Sequence, residues 1–498
     1  MGQRATSSPA QDAKHGKRIA GNFGLLTAFK LLSDAFTFGL FVALSRTFGE
    51  TGIGAYSFAV GIGSGIAVFA DFGLYRLSIK DLARRDDDFG QDLASILTFR
   101  LALTVASLLV LGLAAVILPM ADEIRPVLLI VGLHLLLYGI ANGLAAVFIA
   151  RQDMFLAAKL DFGAKALAAL GGVGMTFAGF DLPTVLWALP ASTMLQIAVS
   201  SVLVRRTYNP GRARPHTDML RKLGRESWPF FISSLVRYVT IRSDIVLLGF
   251  LRGTAAAGIY NVAYRVVFLL MYIPYFASLA AFPIISRLHH REPGKAHELI
   301  QASLGWMILI GVPASVGLTM VAQPLVDLVF GSQFQRSVII LELLAWLFFL
   351  SCIRNMLSTV MTACDQQAQR TRLETWAAII AIVGNLVLIS RYGPVGAAAA
   401  VLAAEGMLVI MTVFATRQML DVLFLASRLV ISATASAAFV VAAMLLPRIP
   451  MFGLIFAAAV IYPAVVLAFP TIRRHELPAI ASMLTSRQRP PVDPPAPD

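Results

Sequence analysis

Long apolar runs alternate with short polar segments along almost the whole chain. A helix of about 20 apolar residues crosses the hydrocarbon core of a bilayer, and the runs reach that length. They predict an all-α, polytopic membrane protein with about fourteen transmembrane helices. The predicted spans cover residues 19–44, 53–72, 93–118, 124–150, 157–180, 184–204, 228–251, 258–285, 300–322, 338–362, 373–390, 396–416, 422–446 and 451–471.

One polar segment is longer and more basic than the others. Residues 205–227 hold seven lysines and arginines together with Pro210, Gly211 and Pro215, which is typical of a connection between domains. Because this linker follows the sixth span, we predict two lobes. The predicted organisation is a cytoplasmic tail (1–18), an N-lobe (19–204), the basic linker (205–227), a C-lobe (228–418), a C-terminal helix pair (419–472) and a proline-rich cytoplasmic tail (473–498).

An internal repeat supports the two lobes. The second span opens with GIGAYSFA (52–59) and the eighth with AGIYNVA (257–263). In both cases the preceding span carries a base and an acid close together. Since the first and seventh spans are both predicted to start inside, the repeats are parallel and related by an axis along the membrane normal. The sequence therefore predicts two parallel six-helix lobes followed by an extra helix pair.

Composition and the placement of charge define the broad class. Hydrophobic residues make up 58% of the chain and charged residues 14%, compared with about a quarter charged in soluble proteins. Of the 41 lysines and arginines, 27 lie in segments predicted to face one side and only six in segments on the other. The positive-inside rule then places both termini and the linker in the cytoplasm. Topology accounts for the +13 net charge, so the predicted partner is a lipid bilayer and not nucleic acid.

Basic side chains inside the predicted spans are the main functional signal. Each costs roughly 2.5 to 3.5 kcal/mol at a lipid-facing helix centre, so several must lie in a watery cavity or near a helix end. We therefore predict a cationic cavity that attracts an anionic cargo. The eight bases are Lys30, Arg100, Lys165, Arg237, Arg242, Arg265, Arg354 and Arg428.

The seventh and eighth spans hold the leading candidates for binding an anion. Arg237, Arg242 and Arg265 are the predicted ligands, because arginine makes bidentate contacts with phosphate. Arg237 and Asp244 share one stripe of an ideal helix, whereas Arg242 points elsewhere. We expect Asp244 to hold one arginine while another stays free to bind the cargo.

Other residues complete the predicted cavity. Asn261, Arg265, Phe268 and Tyr272 form a polar and aromatic stripe suited to sugar and phosphate, and Lys30 and Arg354 add positive charge. Arg100, Lys165 and Arg428 are near predicted cytoplasmic helix ends, where snorkelling to the interface explains them. The alternative for Arg237, Arg242 and Arg265 is that they pair inside the protein to fix the packing of the lobes, or snorkel to an interface.

Acidic residues within the spans are candidates for ion coupling or gating. Lys30 and Asp34 are four residues apart and therefore neighbours on one helix face. Asp34 could exchange its partner for a proton or a sodium ion, or the pair could be a static salt bridge, and the spacing leaves both open. Further candidates are Asp244, Asp71 and Glu405. We predict no metal, no catalytic residue and no cofactor beyond such a coupling ion.

Several short motifs resemble those of the polysaccharide transporter (Wzx-type flippase) family. They are FGETGIGAYSF (48–58), FADFGL (69–74), RSDIVLL (242–248), FPIISRL (282–288) and YGPVGAA (392–398), followed by Glu405. The resemblance runs from about residue 17 to 416. It implies the fold of the multidrug/oligosaccharidyl-lipid/polysaccharide exporter superfamily, that is, a MATE/MurJ-like architecture with two lobes around a central cavity.

The resemblance also implies a function. Family members move undecaprenyl-diphosphate-linked oligosaccharide from the inner to the outer leaflet of the bacterial cytoplasmic (inner) membrane, for O-antigen, exopolysaccharide or capsule biosynthesis. A polysaccharide polymerase and its co-polymerase are the implied partners. Two alternatives remain. A multidrug cation antiporter of the same fold would favour acids over bases in its cavity, and a polyprenyl-sugar-dependent membrane glycosyltransferase would need acidic catalytic residues in a sizeable outer loop.

Overall fold

The computed structural model describes residues 9–83, 89–209, 211, 214–445, 453, 460, 462 and 466, with side chains from Leu25 onward. These residues form α-helices joined by short turns and two single turns of 3₁₀-helix. The helices are α1 (Pro9–Asp71), α2 (Leu74–Leu82), α3 (Phe89–Ile117), α4 (Ile124–Ala150), α5 (Met154–Phe177), α6 (Leu182–Leu186), α7 (Ala188–Tyr208), α8 (Thr217–Arg252), α9 (Thr254–Leu270), α10 (Tyr272–Arg291), α11 (Pro293–Val329), α12 (Arg336–Ala363), α13 (Gln367–Thr416) and α14 (Val422–Leu445).

Two of these helices are interrupted by a glycine. Gly49 in α1 has φ 65° and ψ −164°, and Gly393 in α13 has φ 60° and ψ −133°. Backbone of this kind is accessible almost only to glycine, because a Cβ would clash. Each break falls between two predicted spans, so the chain turns there without an intervening loop.

The predicted number of spans is not confirmed. In the described part of the chain, nine helical segments are long and apolar enough to cross a membrane. Two of them, Leu25–Leu82 with 58 residues and Gln367–Met419 with 53, are long enough to cross twice. The long helices α5 and α8, which carry several charges, are not among the nine. The span predicted at 451–471 lies outside the described residues, except for four positions.

The chain forms two compact units. Their ranges are Met1–Val262, Val329–Ser337 and Ala378–Val401 for unit 1, and Ala263–Leu328, Val338–Ala377 and Leu402–Asp498 for unit 2. The division predicted at the 205–227 linker stays a prediction. The predicted tails at 1–18 and 473–498 lie outside the described residues, apart from the backbone of residues 9–18.

The start of α8 is anchored in unit 1. Leu223 is fully buried in an apolar cluster with Leu77, Ile96 and Phe148 of the preceding helices. Close to it, Lys222 makes an ion pair of 3.1 Å with Asp81 at the end of α2. Because one end of α8 is held in this way, the position of the charged residues further along the same helix is fixed within the unit.

Equivalent positions of the two sequence repeats meet inside unit 1. A Cβ atom on Gly54 would lie 1.9 Å from the carbonyl oxygen of Thr254, and one on Gly258 would lie 2.4 Å from that of Glu50. Only glycine permits such an approach of two helix backbones. The contact also brings Asn261 to Ser57, its counterpart in the first repeat.

Candidate functional site

Two of the three predicted anion ligands, Arg237 and Arg242, lie on α8 without an acidic partner among the described residues. Arg237 is exposed and Arg242 is half-buried. Within the described part of the chain, neither guanidinium makes an ion pair or a side-chain hydrogen bond. Arg242 also has longer-range electrostatic interactions with Asp244, two residues away, and with Tyr238. Both guanidinium groups therefore keep their donors available for an anion.

Asp244 does not hold either arginine, and the prediction that it would is wrong. Its carboxylate is buried, accepts a hydrogen bond of 2.6 Å from the Tyr260 hydroxyl and is 2.7 Å from the backbone N–H of Ile245. Tyr260 is itself fully buried. A carboxylate satisfied by a hydroxyl and an amide is fixed in place, so the tertiary contact with α9 removes it from the arginines.

Tyr238 fixes the arginine-bearing stretch of α8 against α1. Its hydroxyl donates to the Gly61 carbonyl oxygen over 2.9 Å. Its ring covers Gly65, where a Cβ atom would lie 2.7 Å from the Tyr238 hydroxyl oxygen. Tyr238 was not among the predicted site residues. The available signal was the spacing of the two glycines, four residues apart on one helix face.

Asn261 is buried and donates to the Ser57 hydroxyl over 2.6 Å. It therefore joins α9 to α1 instead of facing an open cavity in this structure. In unit 2, Phe268 and Tyr272 form part of an aromatic column along α9 and α10, with ring centroids 6.2 Å apart. Arg265 lies on the same stretch and is half-buried.

Lys30 and Asp34 form the ion pair that their spacing predicts. Lys30 Nζ and Asp34 Oδ2 are 3.0 Å apart, and the side chains are 50% and 19% exposed. Two aromatic contacts flank the pair and hold α1 against α5, from Phe29 and Phe36 to Phe162, with centroids 5.6 and 5.7 Å apart. The pair is therefore positioned on a packed helix while Lys30 remains accessible.

A second acid and base pair on α5 was missed by the sequence analysis. Asp161 and Lys165 are 2.7 Å apart, and the Tyr138 hydroxyl donates to Asp161 over 3.0 Å. The electrostatic field at Tyr138 includes contributions from Asp161 and from Asp34 of α1. The signal was present in the sequence, because Asp161 and Lys165 repeat the four-residue spacing of the pair on α1.

Arg100 does not snorkel to an interface. Its side chain is 1% exposed and lies 3.1 Å from Asp71, and it donates to the Gly139 carbonyl oxygen over 2.5 Å. Gly143 makes room for it, since a Cβ there would lie 2.8 Å from the guanidinium. Arg428 is also buried, with its guanidinium 4.6 Å from the ring centre of Phe424.

Arg354 in unit 2 pairs with Glu405. Its Nε lies in direct contact with Glu405 Oε1, which also accepts a hydrogen bond of 3.1 Å from Ser351. This partner of Arg354 could not be predicted from helical spacing, because 51 residues separate Arg354 from Glu405. In the described part of the chain, acid partners are therefore seen for Lys30, Arg100, Lys165 and Arg354.

Residues 19–289 match the polysaccharide biosynthesis protein family, and this region is more than half of the 498 residues. The chain belongs to that family. It is 23% identical over 231 residues to the probable low-salt glycan biosynthesis flippase Agl15 of Haloferax volcanii, which covers 46% of this chain and 48% of the relative. It is 30% identical over 132 residues to the teichuronic acid biosynthesis protein TuaB of Bacillus subtilis, covering 26% of this chain and 27% of the relative.

The chain thus spans about half the length of the first of these curated relatives and about a quarter of the second. Its fold is similar to that of the lipid II flippase MurJ in an inward closed conformation, with a TM-score of 0.74 at 13% identity over 89% of this chain and 98% of that one. An inward-facing MATE multidrug transporter gives a TM-score of 0.56 at 12% identity, over 79% and 94%. The predicted MATE/MurJ-like fold is therefore confirmed.

The family match contains most of the described site. Lys30, Asp34 and the α8 arginines fall within residues 19–289, whereas Arg354 and Glu405 lie beyond them. The family assignment thus covers the unpaired arginines of this polysaccharide biosynthesis protein as well as the pair on α1.

Proposed function

We propose that this protein moves undecaprenyl-diphosphate-linked oligosaccharide from the inner to the outer leaflet of the bacterial cytoplasmic membrane, by alternating access of its two predicted lobes. Both termini face the cytoplasm in this proposal, in agreement with the distribution of basic residues. The moved glycan would then reach a polymerase and co-polymerase at the outer leaflet. The family assignment supports a role in polysaccharide biosynthesis without identifying the glycan.

The observation that carries the proposal is the contrast between the two arginines of α8 and four other basic residues in the described part of the predicted spans. Lys30, Arg100, Lys165 and Arg354 are neutralised by acids, but Arg237 and Arg242 are not. A diphosphate cannot cross hydrocarbon without compensation of its negative charge, and arginine supplies paired donors to phosphate oxygens. These two cations without an acid partner favour an anionic cargo over the organic cations of a multidrug antiporter, which would be repelled here.

The experiment that tests the proposal uses purified protein in liposomes. Fluorescent undecaprenyl-diphosphate-linked oligosaccharide is supplied in both leaflets, and its loss of fluorescence to a membrane-impermeant reductant is followed over time. We expect the protein to raise the reducible fraction from about half to nearly all of the lipid. Ethidium supplied to the same liposomes should not be transported. Transport of ethidium without movement of the lipid would overturn the proposal in favour of a cation antiporter.

The pair on α1 is proposed to couple transport to a proton or a sodium ion. The side chain of Asp34 is less exposed than that of Lys30. The Lys30 amine can therefore move away while the Asp34 carboxylate binds an ion. The neighbouring Asp161 and Tyr138 place further oxygen atoms on the adjacent helices. This arrangement supports a site at which a cation replaces an amine, as opposed to a fixed salt bridge.

Replacing the pair separates coupling from a structural role. We expect the double variant Lys30→Met with Asp34→Leu to fold, because removing both charges leaves no uncompensated group and an exposed pair contributes at most about 1 kcal/mol. The rate at which this variant moves lipid-linked oligosaccharide should no longer depend on an ion gradient imposed across the liposome membrane. The control is Arg370→Met with Glu374→Leu, which removes another pair of the same spacing, 2.8 Å apart. Undiminished gradient-driven movement in the Lys30 and Asp34 variant would leave a static salt bridge as the explanation.

A further inference from the structure

The turn that ends the first part of α1 exposes backbone carbonyl groups. Because Gly49 is non-helical, the residues just before it lack the amide partners that a continuing helix would supply. The side-chain amide of Gln333 fills this gap. Its Nε2 donates to the carbonyl oxygens of Ser45 and Arg46 over 3.1 and 3.2 Å. A residue far away in the sequence therefore caps the end of this helix.

Arg46 makes the reverse contact. Its Nε donates over 2.8 Å to the carbonyl oxygen of Val329, the last residue of α11. The carboxyl end of a helix has partial negative charge, so a guanidinium is well suited to it. Arg46 of α1 thus caps the end of α11, and Gln333, just after α11, caps the first part of α1. We call this exchange of caps the reciprocal clasp.

A buried aromatic contact lies beside the reciprocal clasp. The Phe330 ring is fully buried and meets Phe38 and Phe41 of α1 edge to face, with centroids 6.1 and 6.2 Å apart. The clasp is therefore the polar edge of a packed contact between α1 and the end of α11. Hydrogen bonds at this edge can be exchanged for hydrogen bonds to water at little net cost in free energy.

Arg252 provides a built-in comparison. Its Nε donates over 3.1 Å to the carbonyl oxygen of Ile389, and its Nη2 contacts that of Ser390, near the break at Gly393. As in the contact made by Arg46, a guanidinium binds carbonyl groups near a helix end. The two contacts differ in whether they join the two predicted lobes. Arg252 and Ile389 both belong to the predicted C-lobe, whereas Arg46 belongs to the N-lobe and Val329 to the C-lobe.

We propose that the reciprocal clasp of Arg46 and Gln333 is a latch, which holds the predicted lobes together at the end expected to face outward and opens in each cycle. The inference rests on the proposed alternating access. The clasp is the contact that must break before the outer end can open. Deeper contacts between the same predicted lobes, such as that of Ser57 with Asn261, are protected as long as the latch is closed.

Accessibility of a reporter cysteine tests the latch. Ser57→Cys is introduced into full-length protein in which Cys352 and Cys364 are replaced by alanine, because Ser57 is buried at the contact between the predicted lobes. A membrane-impermeant maleimide is applied outside intact cells. We expect Arg46→Ala with Gln333→Ala to raise the labelling rate about tenfold, which corresponds to a shift of about 1.4 kcal/mol towards the open state.

The matched control is Arg252→Ala, which removes the same type of contact within one predicted lobe and should leave the labelling rate unchanged. Gln333→Leu alone serves as a milder second variant, with an expected rise of severalfold. Equal labelling of the clasp variants and the Arg252→Ala variant would overturn the latch. The labelling needs no cargo. If the labelling rate rises as expected while liposomes show no movement of lipid-linked oligosaccharide, the result supports the latch and contradicts the proposed cargo.

Discussion

Replacing both Arg237 and Arg242 by alanine is expected to reduce the movement of lipid-linked oligosaccharide by roughly 100-fold. Each guanidinium offers charge-assisted hydrogen bonds of about 1.5 to 3 kcal/mol to phosphate, and each ~1.4 kcal/mol corresponds to a factor of ten. Neither side chain has an acid partner within the described residues, so their loss leaves no uncompensated carboxylate. The amount of folded protein should therefore remain normal. Movement is measured in the reductant assay with liposomes.

Two further variants make this prediction specific. Arg237→Lys with Arg242→Lys should recover part of the activity, because the positive charge survives without the planar, bidentate group. Arg225→Ala is the matched control, since it removes an exposed arginine from the same helix in the predicted cytoplasmic part. Full activity of the double alanine variant would exclude these two arginines as the cargo site.

The pair of Arg100 and Asp71 is expected to show the largest effect on stability. Asp71→Leu leaves the guanidinium of Arg100 buried and without a charge partner, and breaking a buried pair in this way costs about 3 to 5 kcal/mol. Arg100→Met should cost less, because Asp71 is 32% exposed and can take up water. The midpoint of thermal unfolding, measured in detergent, should fall most for Asp71→Leu.

The double variant decides whether the pair is structural. Asp71→Leu with Arg100→Met removes both charges, so it should recover most of the lost stability. Movement of lipid-linked oligosaccharide should also recover, since neither side chain is assigned to cargo. A double variant that is stable but inactive would show instead that Asp71 takes part in coupling or gating, the role for which the sequence made it a candidate.

The sequence determined the class of this protein and much of its local chemistry. Apolar runs as long as a bilayer is thick must form helices in lipid, because the backbone hydrogen bonds have to be satisfied within the segment. The pairing of Lys30 with Asp34 also followed from sequence, since residues four apart share a helix face. The hydrophobic pattern also separates the spans on either side of Gly49 and Gly393, where the helices break.

Only the tertiary structure decided which charges neutralise one another. Arg100 with Asp71 and Arg354 with Glu405 come from different helices, and helical periodicity carries no information on such distant pairs. Asp244 shows the same limit, because Tyr260 of another helix binds it in place of an arginine. A side chain's partner within a helix is set by the 3.6-residue repeat, whereas its partner across helices is set by packing, which the whole chain determines.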